Sequence, residues 1–118
     1  MDNMDIADDL YLLIKDLAEE ENIHSVKYIK LVIGKALEVN KKGLFKKLQK
    51  DIFPGTICKN TKLDIVEESV KLKCRKCSKI MTPDQKFFVY CNYCGGHDFD
   101  IIQGRKIYID KIEGKTKQ

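Results

Sequence analysis

"CRKCSKIMTPDQKFFVYCNYC", residues 74–94, places two Cys-x-x-Cys pairs at the two ends of one short segment. Each two-residue gap lets both sulfurs of a pair face one ion at about 2.3 Å, and two such knuckles complete a tetrahedron. Thirteen residues separate Cys77 from Cys91, slightly fewer than usual for such sites. Pro83-Asp84 reads as a turn and "KFFVY" as a strand, so the spacer predicts a short hairpin. Gly95 and Gly96 follow the second knuckle and let the backbone fold its amides toward a thiolate. The predicted metal is Zn(II). With all four positions thiolate the site is closed, which argues against hydrolysis there. The metal supplies the core that so short an insert lacks.

Working outward, "KLDIVEE" (62–68) before this segment and "GRKIYIDKI" (104–112) after it read as strands, with Ile107 and Ile109 on one side and Tyr108 on the other. Upstream, Ile6, Leu10, Leu13, Ile14, Leu17 and Ala18 share one face of a helix spanning Met4 to Asn22, with acids crowding its first turn. "SVKYIKLVIG" (25–34) alternates Ile29, Leu31 and Ile33 as a strand ending at Gly34. A second helix, Asn40 to Phe53, carries Leu44, Phe45, Leu48 and Ile52, with Asn40 as cap and Pro54-Gly55 as stop. The fold class is α+β: two helices on a mainly antiparallel sheet with an inserted four-cysteine zinc ribbon. The expected division is a split domain, 1–69 and 99–118, interrupted by the ribbon at 70–98.

The chain has 118 residues, room for one domain with an insert. Its apolar runs are too short to span a bilayer. The acidic opening Met1-Asp2-Asn3-Met4-Asp5 is unlike a secretory leader. The expected location is therefore cytoplasmic, where paired cysteines signal metal rather than disulfides. Five cysteines leave Cys58 outside the four-ligand set, as an inert half-buried thiol. The net charge of +4 conceals an acidic first helix, with eight acids against Lys15 in residues 1–21, and a basic run "KKGLFKKLQK" at 41–50. Two solvated helix faces account for both; steering of a charged partner is the sharper alternative.

Taken together, "MDNMDIADDL", "FPGTICKNTKLDIVEE" and "CGGHDFDIIQGRKIYIDKIE" resemble the HypA family, the nickel metallochaperones of [NiFe]-hydrogenase maturation. The likeness runs nearly end to end. It implies that Cys74, Cys77, Cys91 and Cys94 are structural zinc ligands. It also implies that the protein carries Ni(II) transiently as cargo, with a HypB-type GTPase and the apo-hydrogenase large subunit as partners, and in some organisms urease. The family begins Met-His-Glu and holds nickel with that histidine and N-terminal nitrogens; here the positions read Met1, Asp2 and Asn3. A carboxylate is a harder ligand than imidazole, so nickel affinity should fall. Three readings stay open: weak nickel binding through the Met1 amine, Asp2, Asn3 and another donor; transfer of the histidine's role to His97; or loss of nickel delivery with the scaffold kept as an adaptor.

The rival class is a ribbon that binds nucleic acid, using Lys71, Lys73, Arg75, Lys76 and Lys79 with Phe87, Phe88, Tyr90 and Tyr93. Those lysines alternate like an ordinary strand, and the aromatics are expected to fill the ribbon. His24 reads as an exposed turn residue. No nucleophile–base set or phosphate-cradling glycine loop points to an enzyme, and oligomeric state is not legible.

Overall fold

The computed structural model describes residues 3–83 and 90–116, with side chains from Ile6 onward. Helix α1 spans Asn3–Glu20, and Ile6, Ala7, Leu10, Ile14 and Ala18 are its buried stripe. Leu13, expected on that stripe, is 50% exposed, as is its neighbour Leu12 at 57%. A 3.6-residue period carries position 13 past the edge of the face that the sheet can cover. Asn22, at φ 57, ends the helix in the left-handed region that asparagine tolerates, and the chain turns directly into strand β1, Ile23–Gly34.

The second helical stretch follows a single 3₁₀ turn. Helix α2, Lys41–Lys47, is capped by the Asn40 side chain, which accepts from Gly43 N–H at 3.0 Å. Its continuation over Leu48–Ile52 is wider than an α-helix, with Phe53 N–H donating to Leu48 O at 2.8 Å. Leu44, Leu48 and Phe53 are buried, whereas Phe45 is 42% exposed and lies outside the expected stripe. Asn40→Ala should cost about 1 kcal/mol through the lost cap, read as a lower midpoint in urea unfolding.

Strand β2, Lys62–Glu68, lies beside β1, and the last strand of the sheet, Ile107–Thr116, lies on its other side. β1 and β2 are parallel, with Ile29 opposite Leu63 and Leu31 opposite Ile65. The connection carrying α2 makes that pairing possible. The last strand runs antiparallel, with Ile33 opposite Ile107. Both helices pack one face of this sheet into a core that includes Ile29, Leu31, Ile33, Leu63 and Ile65, with Ile107 and Ile109 against it. Tyr28–Asp64 and Lys30–Asp110 are polar pairs elsewhere on this sheet.

A second sheet forms the ribbon: β3, Lys71–Cys74; β4, Ile80–Met81; and β5, Phe99–Gln103; the last strand of the main sheet is thus β6. β3 is central, antiparallel to both neighbours. Three of the four strand pairings among the described residues are therefore antiparallel. Since β5 pairs with β3, residues 99–103 belong to the ribbon's sheet, and the 98/99 boundary falls inside a bonded unit. The return to the main sheet begins at Gly104. The expected 86–90 strand lies largely outside the described residues, and Tyr90 is not in a strand.

At the joint, Gly34 N–H donates to Lys106 O at 2.8 Å and Ala36 N–H to Gly104 O at 2.9 Å. A Cβ on Gly34 would sit 2.1 Å from Gly104 O, so only glycine permits this approach. The radius of gyration is 17.6 Å, against about 13–14 Å for a compact globule of this length. The molecule is elongated, with extents of 56 × 29 × 18 Å.

Candidate metal centre

Two knuckles of matching design bring the cysteines together. In the first, Cys74 N–H donates to Lys79 O at 2.9 Å and Ser78 N–H to Cys74 O at 2.8 Å. In the second, Cys91 N–H donates to Gly96 O and Gly95 N–H to Cys91 O, both at 2.8 Å. The residue after each second cysteine is left-handed: Ser78 at φ 64 and Gly95 at φ 75. Sequence reasoning assigned Gly95 to this turn and missed Ser78, although the two occupy the same place in their knuckles.

The ligand atoms of Cys74, Cys77, Cys91 and Cys94 all lie within 4.8 Å of one another. Cys74 Sγ is 3.6 Å from Cys94 Sγ, and Cys77 Sγ is 3.5 Å from Cys91 Sγ. An ion bonded to four sulfurs at about 2.3 Å sets tetrahedral edges of about 3.8 Å, so the thiols fit such an ion. Tyr93 N–H approaches Cys91 Sγ at 3.4 Å. A Cβ at Gly96 would lie 3.4 Å from Cys94 Sγ and 3.6 Å from Cys74 Sγ, so this glycine backbone borders two ligands.

Charge explains why the set needs a cation. Four thiolates this close repel one another, and protons distribute unevenly among them. Burial raises Cys91, but the backbone N–H groups of Tyr93 and Cys94 and the Cys77 sulfur bring it down to about 6. The Lys79 N–H favours the Cys77 thiolate, yet burial and the sulfurs of Cys91, Cys74 and Cys94 push it up to about 12. A divalent cation removes that conflict and releases the retained protons.

His97 is exposed in the irregular stretch between the second knuckle and β5, and among the described residues the cluster consists of the four sulfurs alone. Met1 and Asp2 lie outside the described residues, and Asn3 enters only as the start of α1. His24 is exposed at the head of β1. Cys58 is fully rather than half buried, and burial raises its thiol. Tyr90 and Tyr93, expected to fill the ribbon, are 53% and 65% exposed; Phe87 and Phe88 lie outside the described residues. Lys79 Nζ stands 5.5 Å from the Tyr93 ring centroid. Arg75 is held by Asp98 and Asp100, with its Nη2 2.8 Å from Asp100 Oδ1. The cation best placed beside the first knuckle is thus already matched by carboxylates rather than offered to phosphate.

Fold and site define a class: a small α+β protein whose two-layer domain carries a ribbon with a four-thiolate site that could bind a metal. A family model described as "Hydrogenase/urease nickel incorporation, metallochaperone, hypA" matches residues 1–114. The chain belongs to the HypA family. The hydrogenase maturation factor HypA of Moorella thermoacetica is 31% identical over 118 residues, covering 98% of this chain and 100% of its own. The corresponding factor of Thermococcus kodakarensis is 28% identical over 128 residues, covering 92% of this chain and 91% of its own. The solution structure of the Ni metallochaperone HypA from Helicobacter pylori shares the fold, with a TM-score of 0.76 at 23% identity, covering 99% of this chain and 100% of that one. No helix among the described residues is long and apolar enough to cross a membrane.

Proposed function

We propose that this chain is a cytoplasmic, non-enzymatic nickel carrier for [NiFe]-hydrogenase maturation. In this reading it works with a HypB-type GTPase and delivers to the apo-hydrogenase large subunit. The observation that carries it is the family match over residues 1–114. Cys74, Cys77, Cys91 and Cys94 hold one structural Zn(II), whose positive charge makes four adjacent thiolates stable. The ribbon unit runs from 70 to 103, and the remainder forms the nickel-binding unit.

Each residue group has its own task. The backbone N–H groups of Tyr93, Cys94 and Lys79 support the thiolates, and the left-handed Ser78 and Gly95 turn the chain so that both sulfurs of a knuckle face inward. Nickel, as cargo, is held at Met1, Asp2 and Asn3, with the imidazole contributed by His97 because Asp2 replaces the family's histidine. The closed thiolate set is kept out of cargo exchange.

The test is Ni(II) titration of the untagged, zinc-loaded protein beside its His97→Ala and Asp2→His variants. A one-to-one site in the parent, weakened at least about tenfold by His97→Ala, is expected. Nickel bound only after Asp2→His would sink the assignment and leave an adaptor without cargo.

A further inference from the structure

Edge strands invite pairing with other chains, and proteins guard them with charge. β6 carries Asp110, Lys111, Glu113 and Lys115 along its length, and β2 carries Lys62, Asp64, Glu67 and Glu68. β5 differs. Its sequence "FDIIQ" holds one charge, Asp100, and that carboxylate is taken up by Arg75 of β3, whose Nε also donates to it at 2.8 Å. Ile101 and Ile102 are nevertheless 39% and 48% exposed. β5 is terminal in its sheet, so no described strand pairs with its outer side.

The ladder parity says which main-chain groups face outward. Arg75 N–H donates to Asp98 O at 3.0 Å, whereas Cys74 N–H turns away to Lys79 O. Hydrogen-bonded and non-bonded pairs alternate in an antiparallel ladder. Residues 98 and 100 therefore face β3, and the N–H and C=O groups of Phe99 and Ile101 face the open side. The register then shifts between Lys71 and Leu72, which leaves Ile102 in a bulge.

Beside this edge runs an open groove of about 440 Å³, lined by Ile101, Ile102, Gln103, Arg105, Lys106 and Tyr108 among others. Tyr108 donates its hydroxyl to Glu68, another lining residue. Arg105 and Lys106 form no ion pair among the described residues. An unguarded strand edge, two exposed isoleucines and two unmatched cations thus share one groove at the joint between the sheets.

We propose that β5 accepts an extended segment of a partner protein as an added strand, one that alternates apolar residues and carries a carboxylate side chain to Arg105 and Lys106. Main-chain pairing with Phe99 and Ile101 supplies affinity, while the isoleucines and the cations select the segment. This site uses neither the cysteine thiols nor nickel, so it stands whether or not the cargo assignment does.

The probe is a fluorescein-labelled peptide of alternating valine and threonine flanked by glutamates, titrated into the full-length chain with its metal. Amide NMR spectra first establish that β5 is folded. Binding tighter than about 1 mM is expected, weakening with salt and shifting the Phe99 and Ile101 amides. The same peptide flanked by lysines should bind at least about tenfold more weakly. Ile101→Pro removes an outward N–H while sparing the bonds to β3, and the double charge reversal Arg105→Glu with Lys106→Glu removes the selection; each should lower affinity at least about tenfold. No binding by 1 mM, equal binding of both peptides, unchanged affinity in the variants, or shifts confined to α1 and α2 would each overturn the proposal.

Discussion

Cys91→Ser should strip residues 71–103 of ordered structure while leaving the β2-β1-β6 sheet and its helices folded. The reason is the distribution of apolar burial. The continuous core draws on α1, α2, the loop after it and the main sheet, and includes no residue of the ribbon. Among the described residues of the ribbon the buried apolar side chains are Leu72 and the cysteines Cys74 and Cys91, while Ile80, Tyr90, Tyr93, Ile101 and Ile102 are exposed. Burial on that scale cannot offset the ordering entropy of thirty-odd residues at about 1–2 kcal/mol each. Structural zinc in comparable modules contributes about 10–16 kcal/mol in apparent free energy. Losing a ligand also leaves three thiols crowded without a full complement of bonds. Amide exchange would read the result directly: fast exchange at Leu72, Lys73 and Asp100 with slow exchange retained at Ile29 and Leu31. Chelation of the parent should reproduce this pattern, and so should acid, because protons compete with the metal for thiolates. Ribbon amides that stay protected after chelation would refute the claim that metal is its core.

Gly34→Ala is expected to destabilise the main sheet by about 3 kcal/mol, at the upper end of what overpacking usually costs. Its new Cβ would meet Gly104 O at 2.1 Å and Arg105 N at 2.7 Å, and both are backbone atoms that no rotamer change can clear. Separating the strands weakens the Gly34–Lys106 and Ala36–Gly104 hydrogen bonds together. Gly104→Ala adds a second fault, since φ is 90° there and its Cβ would lie 2.7 Å from Val70 Cα. A melting temperature lower by roughly 10 °C is the expected scale for the Gly34 variant. A melting curve that superimposes on the parent's would mean the joint opens freely and the close approach is dispensable.

The zinc-type knuckles were legible because their information is local: two-residue gaps, the glycines after Cys94, and a spacer of fixed length. The helices and strands were legible for the same reason, through periods that a single segment displays. Leu13 and Phe45 were placed on buried faces because periodicity gives the direction of a side chain but not the width of the surface meeting it. The parallel pairing of β1 with β2 depends on residues 28–34 meeting 62–68, a choice made by the whole domain. β5 escaped notice because "FDIIQ" has no clean alternation and its partner lies twenty-five or more residues away. Gly34 was read as a strand terminus, when its role comes from a contact with a residue seventy positions later. Asp2 and Asn3, in the proposed cargo site, were singled out by their departure from a family pattern and not by any geometry.

The joint also sets an order of events during folding. β1 must find β6 across some seventy intervening residues, and such distant pairings form slowly. A loop of about 35 residues between Ser69 and Gly104 opposes that closure by about 3 kcal/mol of entropy, plus a constant. A folded ribbon has already borne this cost, because it returns Gly104 to within contact of Ser69. Metal captured by the four thiols therefore acts as a splice that shortens the search for the third strand. Supply of the metal would govern how quickly the distant sheet closes after synthesis, besides how stable the ribbon is once made.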